Sequence, residues 1–212
     1  VSTVVIGTFL ASIISVGILR LRYFVLYKRT IVSNQARIEN ANMLTVYFWI
    51  FESFYIASVV MSMSHGTMLY SLPDGAGLLL VWFVGAWQTD NGALFLGKMM
   101  GKTKCATYIS PGKTWEGVMG GYISCCISLG LLSLARNIWI IPNIQGIHIP
   151  ILAVLISSAS ILGDLGESFI KRAGNVKDSG TFFPGHGGML DRIDSIAYSA
   201  PAVFYFVSAF PL

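Results

Sequence analysis

Long apolar runs separated by short polar loops set the first limit on what this chain can become. They lie at roughly 1–19, 43–63, 74–89, 117–135, 149–166 and 195–211, and a helix crosses the hydrocarbon layer with about 20 such residues. Inside lipid each backbone N–H and C=O must be satisfied within its own segment, so runs of this length are helices. The predicted fold is an all-α polytopic transmembrane bundle of about six spans. The charge content agrees. Only 11% of residues are charged and the mean hydropathy is +0.68, whereas a water-soluble domain carries about a quarter. The net charge of +4 lies between the apolar runs, which fits a membrane protein and not a nucleic-acid binder. Cys105, Cys125 and Cys126 are odd in number and two are adjacent, which excludes a secreted disulfide scaffold. Cys125 and Cys126 read as small packing residues. The chain opens at Val1 within an apolar stretch and shows no basic region before it, so no cleavable signal is expected and earlier spans are expected to be missing.

The loops sort by charge. Arg20, Arg22, Lys28, Arg29 and Arg37 follow the first run, Lys98, Lys102, Lys104 and Lys113 the third, and Lys171, Arg172, Lys177 and Arg192 the fifth. With six spans these thirteen of the fourteen basic residues share one face, and only Arg136 lies opposite. The positive-inside rule makes that face cytoplasmic. No internal repeat of the kind that marks many transporters is present. Two regions are expected: residues 1–70, with apolar helices and a basic loop, and residues 71–212, with the chemistry. Pro73 and Pro150 sit at span edges, where a missing N–H costs little. Pro201 falls inside the last run.

Five of the ten acidic residues lie between Gly163 and Asp194. Asp191 and Asp194 are three apart and share a helix face, and Asp164, at the end of the preceding span, is placed to meet them. Three carboxylates converging at a membrane surface need a cation, and Mg²⁺ suits oxygen ligands while leaving positions open for phosphate. Charge at a helix start favoured by the macrodipole explains Asp191 or Asp194 singly, but not the company of Lys171, Arg172, Lys177 and His186. The glycines around His186 allow a tight turn that brings backbone N–H groups against a ligand.

From Ser168 to Asp194 the chain resembles the phosphatidate cytidylyltransferases, also called CDP-diacylglycerol synthases. The match runs through Ser168, Lys171-Arg172, Lys177-Asp178, Gly180 and Pro184-Gly185-His186-Gly187-Gly188 to Asp191-Arg192-Ile193-Asp194. Ser110-Pro111-Gly112-Lys113-Thr114-Trp115-Glu116-Gly117 and Thr89-Asp90-Asn91-Gly92-Ala93 are similar to two further family stretches. The resemblance covers about residues 75–212. Gly112 stands where many members have a second Lys, and Asn91 replaces a hydroxyl residue.

The resemblance implies that CTP and phosphatidic acid give CDP-diacylglycerol and pyrophosphate, in a bilayer, with no nucleic acid and with a homodimer as the assembly. It implies catalytic roles for Asp164, Lys171, Arg172, Asp191 and Asp194, with a divalent cation on the three aspartates. Asp90, Ser110, Lys113, Thr114, Glu116, Ser168, Lys177, Asp178, His186 and Arg192 would contact substrate. Glu116 is read as fixing Lys113 or helping to hold the metal, and His186 as a substrate donor or a backbone cap. Lys171 and Arg172 are read as handling phosphate and not as folding residues, the alternative being that they snorkel to headgroups. The membrane would be a bacterial inner membrane or an organellar one, with the site facing the cytoplasm. The rival enzyme is a CTP-dependent polyprenol or phytol kinase, which releases CDP. A transporter would spread its charges through the spans instead of gathering them at one mouth. Glu52, inside the second run, is an intramembrane carboxylate without an assigned role. Trp49, Trp82, Trp87, Met99 and Met100 read as interfacial or packing residues.

Overall fold

The computed structural model describes residues 35–210 apart from 136–140, 145, 174–175, 177–178, 181–187 and 189. The apolar run 1–19, the basic loop up to residue 34, Arg136, Lys177, Asp178 and His186 therefore lie outside the described residues, as do the side chains of Arg37, Trp49, Glu52 and Arg192. The described residues form five helices: α1 (Gln35–Tyr70), α2 (Gly75–Met100), α3 (Trp115–Leu134), α4 (His148–Ala173) and α5 (Leu190–Ala209). The only extended pairing among them is an isolated antiparallel bridge between Lys104 and Thr114. Residues 1–61 and 62–212 make two separate compact units, and the second holds α2 to α5.

Each helix begins or ends for a local reason. Asp74 sits in the left-handed region at φ 55° just before α2, a conformation that Asp adopts more readily than most residues. It closes a four-residue turn in which the Ser71 and Leu72 amides donate to Met68 and Leu69 and the Gly75 amide to Leu72. Thr114 caps α3, its hydroxyl accepting from the Gly117 amide at 3.2 Å. Pro150 falls in the first turn of α4, where no intrahelical N–H is lost. Pro201 is carried within α5.

The most extensive contact is between α2 and α3, followed by that between α4 and α5. Glycine makes the first possible. A Cβ added at Gly120 would lie 2.6 Å from the Gly92 carbonyl oxygen, and one at Gly117 2.8 Å from that of Ala93. The Gly117-x-x-x-Gly121 spacing is thus spent inside the chain, on a backbone-to-backbone approach of the kind that membrane helices favour. The apolar core runs through Leu78, Val81, Trp82, Cys125, Leu129, Leu152, Ile156 and Val203. Trp82 ties α2 to α5, donating from Nε1 to the Ile196 carbonyl at 3.0 Å and to Ser199 Oγ at 2.9 Å. Cys125 packs within this core, as its small size suggested.

The outer surface is inverted relative to a soluble bundle. On α3 the exposed residues include Met119, Ile123, Ile127, Leu131 and Leu134, one continuous apolar stripe. Buried positions on α4 include Ser157, Ser160, Glu167 and Ser168. Apolar side chains facing out and small or polar ones facing in are what helices in lipid require. Residues Trp115–Leu134 and His148–Arg172 are each long and apolar enough to cross a membrane.

Crowding at the α2–α3 crossing gives a contrast to measure. Gly120→Val is expected to cost about 1–3 kcal/mol or more by overpacking, because its side chain meets backbone. Gly130→Ala, with open space around it, should leave the protein as stable as before or slightly more so. Thermal unfolding in detergent compares the two. Equal effects would mean that the glycine seam is not tight.

Candidate active site

The loop between α2 and α3 is closed at its base and carries Lys113 into the bundle. The Trp115 amide donates to the Thr103 carbonyl at 2.9 Å, and the Cys105 amide to that of Lys113 at 3.2 Å. The Glu116 carboxylate accepts from the Thr103 amide with both oxygens, at 3.1 and 3.2 Å. Glu116 therefore fastens the loop, and its observed partner is Thr103 and not Lys113. Thr107 and Tyr108 form the exposed apex, Tyr108 being 96% accessible.

Lys113 reaches across to α4. Its Nζ lies 2.8 Å from Asp164 Oδ2 and donates to the Ile161 carbonyl at 3.3 Å. Arg172, exposed at the end of the same helix, donates from Nε to the Ile109 carbonyl and from Nη1 to that of Val176. These contacts bring the loop and the C-terminal end of α4 to the same end of the bundle. A cleft of about 300 Å³ opens there, lined by Asp90, Ser110, Lys113, Thr114, Ile161 and Asp164 among others. Asp90 accepts from Ser195 Oγ at 2.6 Å, which links α2 to α5 at the rim of the cleft.

Behind the cleft, α4 and α5 cross closely. A Cβ at Gly163 would lie 2.7 Å from the Asp194 carbonyl oxygen, so only glycine permits this approach. The crossing brings one carboxylate oxygen each of Asp164, Glu167 and Asp194 within 4.8 Å of one another. Ser168 Oγ donates to Asp164 at 3.3 Å. Glu167 is 1% exposed. Its Oε2 accepts from Lys171 Nζ at 2.7 Å, while its Oε1 is buried without a hydrogen-bond partner.

Lys171 also donates to Asp191 Oδ1 at 2.7 Å. The other Asp191 oxygen accepts from the Ser179 amide and hydroxyl at 2.9 and 2.7 Å and from the Gly188 amide at 2.6 Å. Partial burial works against its charge, but Lys171 and these donors prevail and hold the Asp191 carboxyl well below the usual carboxylate range. Asp191 is thus the ionised anchor of the segment that leads into α5.

Of the three aspartates expected together, Asp164 and Asp194 meet. Asp191 is bound to Lys171, Ser179 and Gly188, and it is Glu167 that stands beside the other two. Sequence spacing contained the signal for Glu167, since Asp164, Glu167, Ser168 and Lys171 recur at intervals of three, one and three along one face of α4. Lys113, Ser110, Thr114 and Asp90 line the cleft as a group. Glu116 spends its described contacts on the backbone of the loop, and Arg172 on the carbonyls of Ile109 in the loop and of Val176 beyond α4.

Lys171 carries structural as well as chemical weight. Removing one partner of a buried ion pair costs about 3–5 kcal/mol, so Lys171→Ala, which strands Glu167, is expected to lower the melting temperature clearly. Arg172→Ala, whose partners are exposed, is expected to change stability by about 0.5 kcal/mol or less. Scanning calorimetry or a thermal-shift assay in detergent ranks them, and equal melting temperatures would contradict the buried pair.

Residues 1–210 match the family model described as "Cytidylyltransferase family". Among curated proteins, the phosphatidate cytidylyltransferase of Haemophilus influenzae is 43% identical over 132 residues, 62% of this chain and 46% of that protein. The enzyme of that name from Synechocystis sp. is 42% identical over 137 residues, covering 65% of this chain and 45% of its own length. That from Bacillus subtilis is 40% identical over 139 residues, 65% and 50%. The chain spans about half the length of the curated relatives it matches.

Proposed function

Because the chain belongs to the cytidylyltransferase family, we propose that it transfers the cytidylyl group of CTP to phosphatidic acid, giving CDP-diacylglycerol and pyrophosphate. The observation that carries this reading is the cleft in which Lys113 and Asp164 pair at 2.8 Å beside the Asp164, Glu167 and Asp194 cluster. Cationic and anionic groups at one mouth suit two polyanionic substrates and the ion that accompanies them.

A phosphatidate oxygen attacks the α-phosphorus of CTP, the bond to the bridging oxygen breaks, and pyrophosphate leaves. A phosphate monoester has its second pKa near 6, so the nucleophile is already ionised near neutral pH and requires no strong base. What the protein supplies is alignment and charge. An ammonium has three donors; Lys171 uses two on Glu167 and Asp191 and Lys113 two on Asp164 and Ile161. Among the described residues this leaves one donor on each for a phosphate oxygen. Ser110, Thr114 and Asp90 border the same space. Lys177, Asp178, His186 and Arg192 belong to the same reading as substrate contacts, with Arg172 positioned beside the loop.

The donor set of the cluster is all oxygen and its charge is negative, which fits Mg²⁺ or a similar divalent cation. Asp164 and Asp194 would hold it, with Asp191 adjoining, and when bound it supplies neutralisation of triphosphate charge. The proposed topology is six spans, with loops 20–42, 90–116 and 167–194 on the cytoplasmic face of a bacterial inner or organellar membrane. The contacts of Lys113 and Arg172 between the last two loops support that sharing.

With α-labelled CTP and phosphatidate in detergent micelles, label is expected in CDP-diacylglycerol with unlabelled pyrophosphate released. Labelled CDP and a phosphorylated lipid would instead mean a lipid kinase. Asp194→Asn is expected to reduce turnover by roughly two orders of magnitude, with the protein still inserted; turnover close to wild type would remove Asp194 from the site. In sealed vesicles, on a background lacking Cys105, Cys125 and Cys126, cysteines placed at Thr107 and Ser179 should label from one side and one at Gly146 from the other.

A further inference from the structure

We propose that Glu167 is a bridging ligand, one oxygen holding Lys171 and the other completing the cation site of Asp164 and Asp194. The inference rests on the divalent-cation reading and adds a residue to it. A carboxylate that is 1% exposed is expensive to keep charged unless its oxygens are compensated. Lys171 compensates Oε2 at 2.7 Å, and Oε1 is buried with no partner. A buried, unmatched carboxylate oxygen is uncommon in a native protein and calls for an explanation, a bound ion being one that suits an acidic cluster. A positive occupant suits it, because its neighbours in that cluster are the carboxylates of Asp164 and Asp194. Three oxygens within 4.8 Å of one another can converge on one ion with octahedral preferences, leaving positions for water and phosphate.

The bridge has a chemical purpose. Lys171 and the cation would both meet phosphate oxygens, and Glu167 fixes their separation because it holds one with each arm. Asp191 grips Lys171 from the far side, so the ammonium cannot follow the substrate out of place. Glu167 is a positioning residue for Lys171 and a ligand for the ion.

The competing account of the same geometry is a proton shared between Glu167 and Asp194. Glutamine mimics a protonated glutamate, so Glu167→Gln separates the two. Mn²⁺ alone serves as the probe, with its binding to the detergent-purified, chelator-stripped protein followed by electron paramagnetic resonance and by Mn²⁺-induced thermal stabilisation. The wild type is expected to bind one tight ion, and Glu167→Gln to weaken that affinity by tenfold or more while keeping its fold. Equal affinity in Glu167→Gln and wild type would overturn the proposal and leave the shared proton. If Glu167→Gln does not fold, Glu167→Asp, which keeps the charge and shortens the reach by one methylene, is measured in its place. Weakened Mn²⁺ affinity in that variant supports the bridge, and unchanged affinity rejects it. Failure of the wild type itself to bind Mn²⁺ would refute the cation reading as a whole, a result distinct from failure of Glu167 alone.

Discussion

The contact on which the site depends is the double grip on Lys171 by Glu167 and Asp191, each at 2.7 Å. Desolvating these charges costs several kcal/mol apiece, and only close mutual geometry offsets it. That requirement fixes the rotation of α4 about its axis, since Lys171 and Glu167 lie one turn apart. It also fixes where α5 begins, since Asp191 stands in its first turn. Once those two helices are set, Asp164 faces the loop and Lys113 has a partner. Asp194 is carried over Gly163, and Ser195 reaches Asp90. The cleft is a consequence of an electrostatic constraint placed at the end of an otherwise apolar bundle.

Much of this is legible in the sequence because lipid imposes a simple rule on helices. The apolar runs at 74–89, 117–135, 149–166 and 195–211 each correspond to a described helix. The helices are often longer than the runs: α2 extends to Met100 and α4 to Ala173. Hydropathy senses the hydrocarbon layer, whereas a backbone ladder continues past it for as long as no cap intervenes. Lys113, Asp164 and Asp194 stand out for their chemistry, and the fold brings Lys113 to Asp164 and Asp164 to Asp194.

Spacing does not carry pairing between distant elements. Glu116 meets Thr103, Arg172 meets Ile109, and Asp191 turns to Ser179 and Gly188. In each case a short backbone segment offers a donor or acceptor that no pattern of side chains announces. The spacing of Glu167 places it on the α4 face of Asp164 and Lys171, yet a glutamate beside a lysine one turn away also looks like an ordinary exposed helix pair. Only burial distinguishes it. The small-residue spacing at Gly117 and Gly121 is a related case, since the motif says that something approaches closely without saying what. Here the partner is α2 of the same chain.

The loop between α2 and α3 is fastened three times at its root, by Thr103 to Trp115, by Thr103 to Glu116 and by Cys105 to Lys113, while Tyr108 at its apex is almost fully exposed. Root and tip are therefore under different physical constraint. Residues at the root must keep their spacing, because a single insertion there would draw Lys113 away from Asp164. At Thr107 and Tyr108 the chain has room to drift, to lengthen or to accept a grafted epitope, with the register of the lysine preserved below it. The same loop thus offers a handle for purification and imaging at one end and a fixed ammonium at the other.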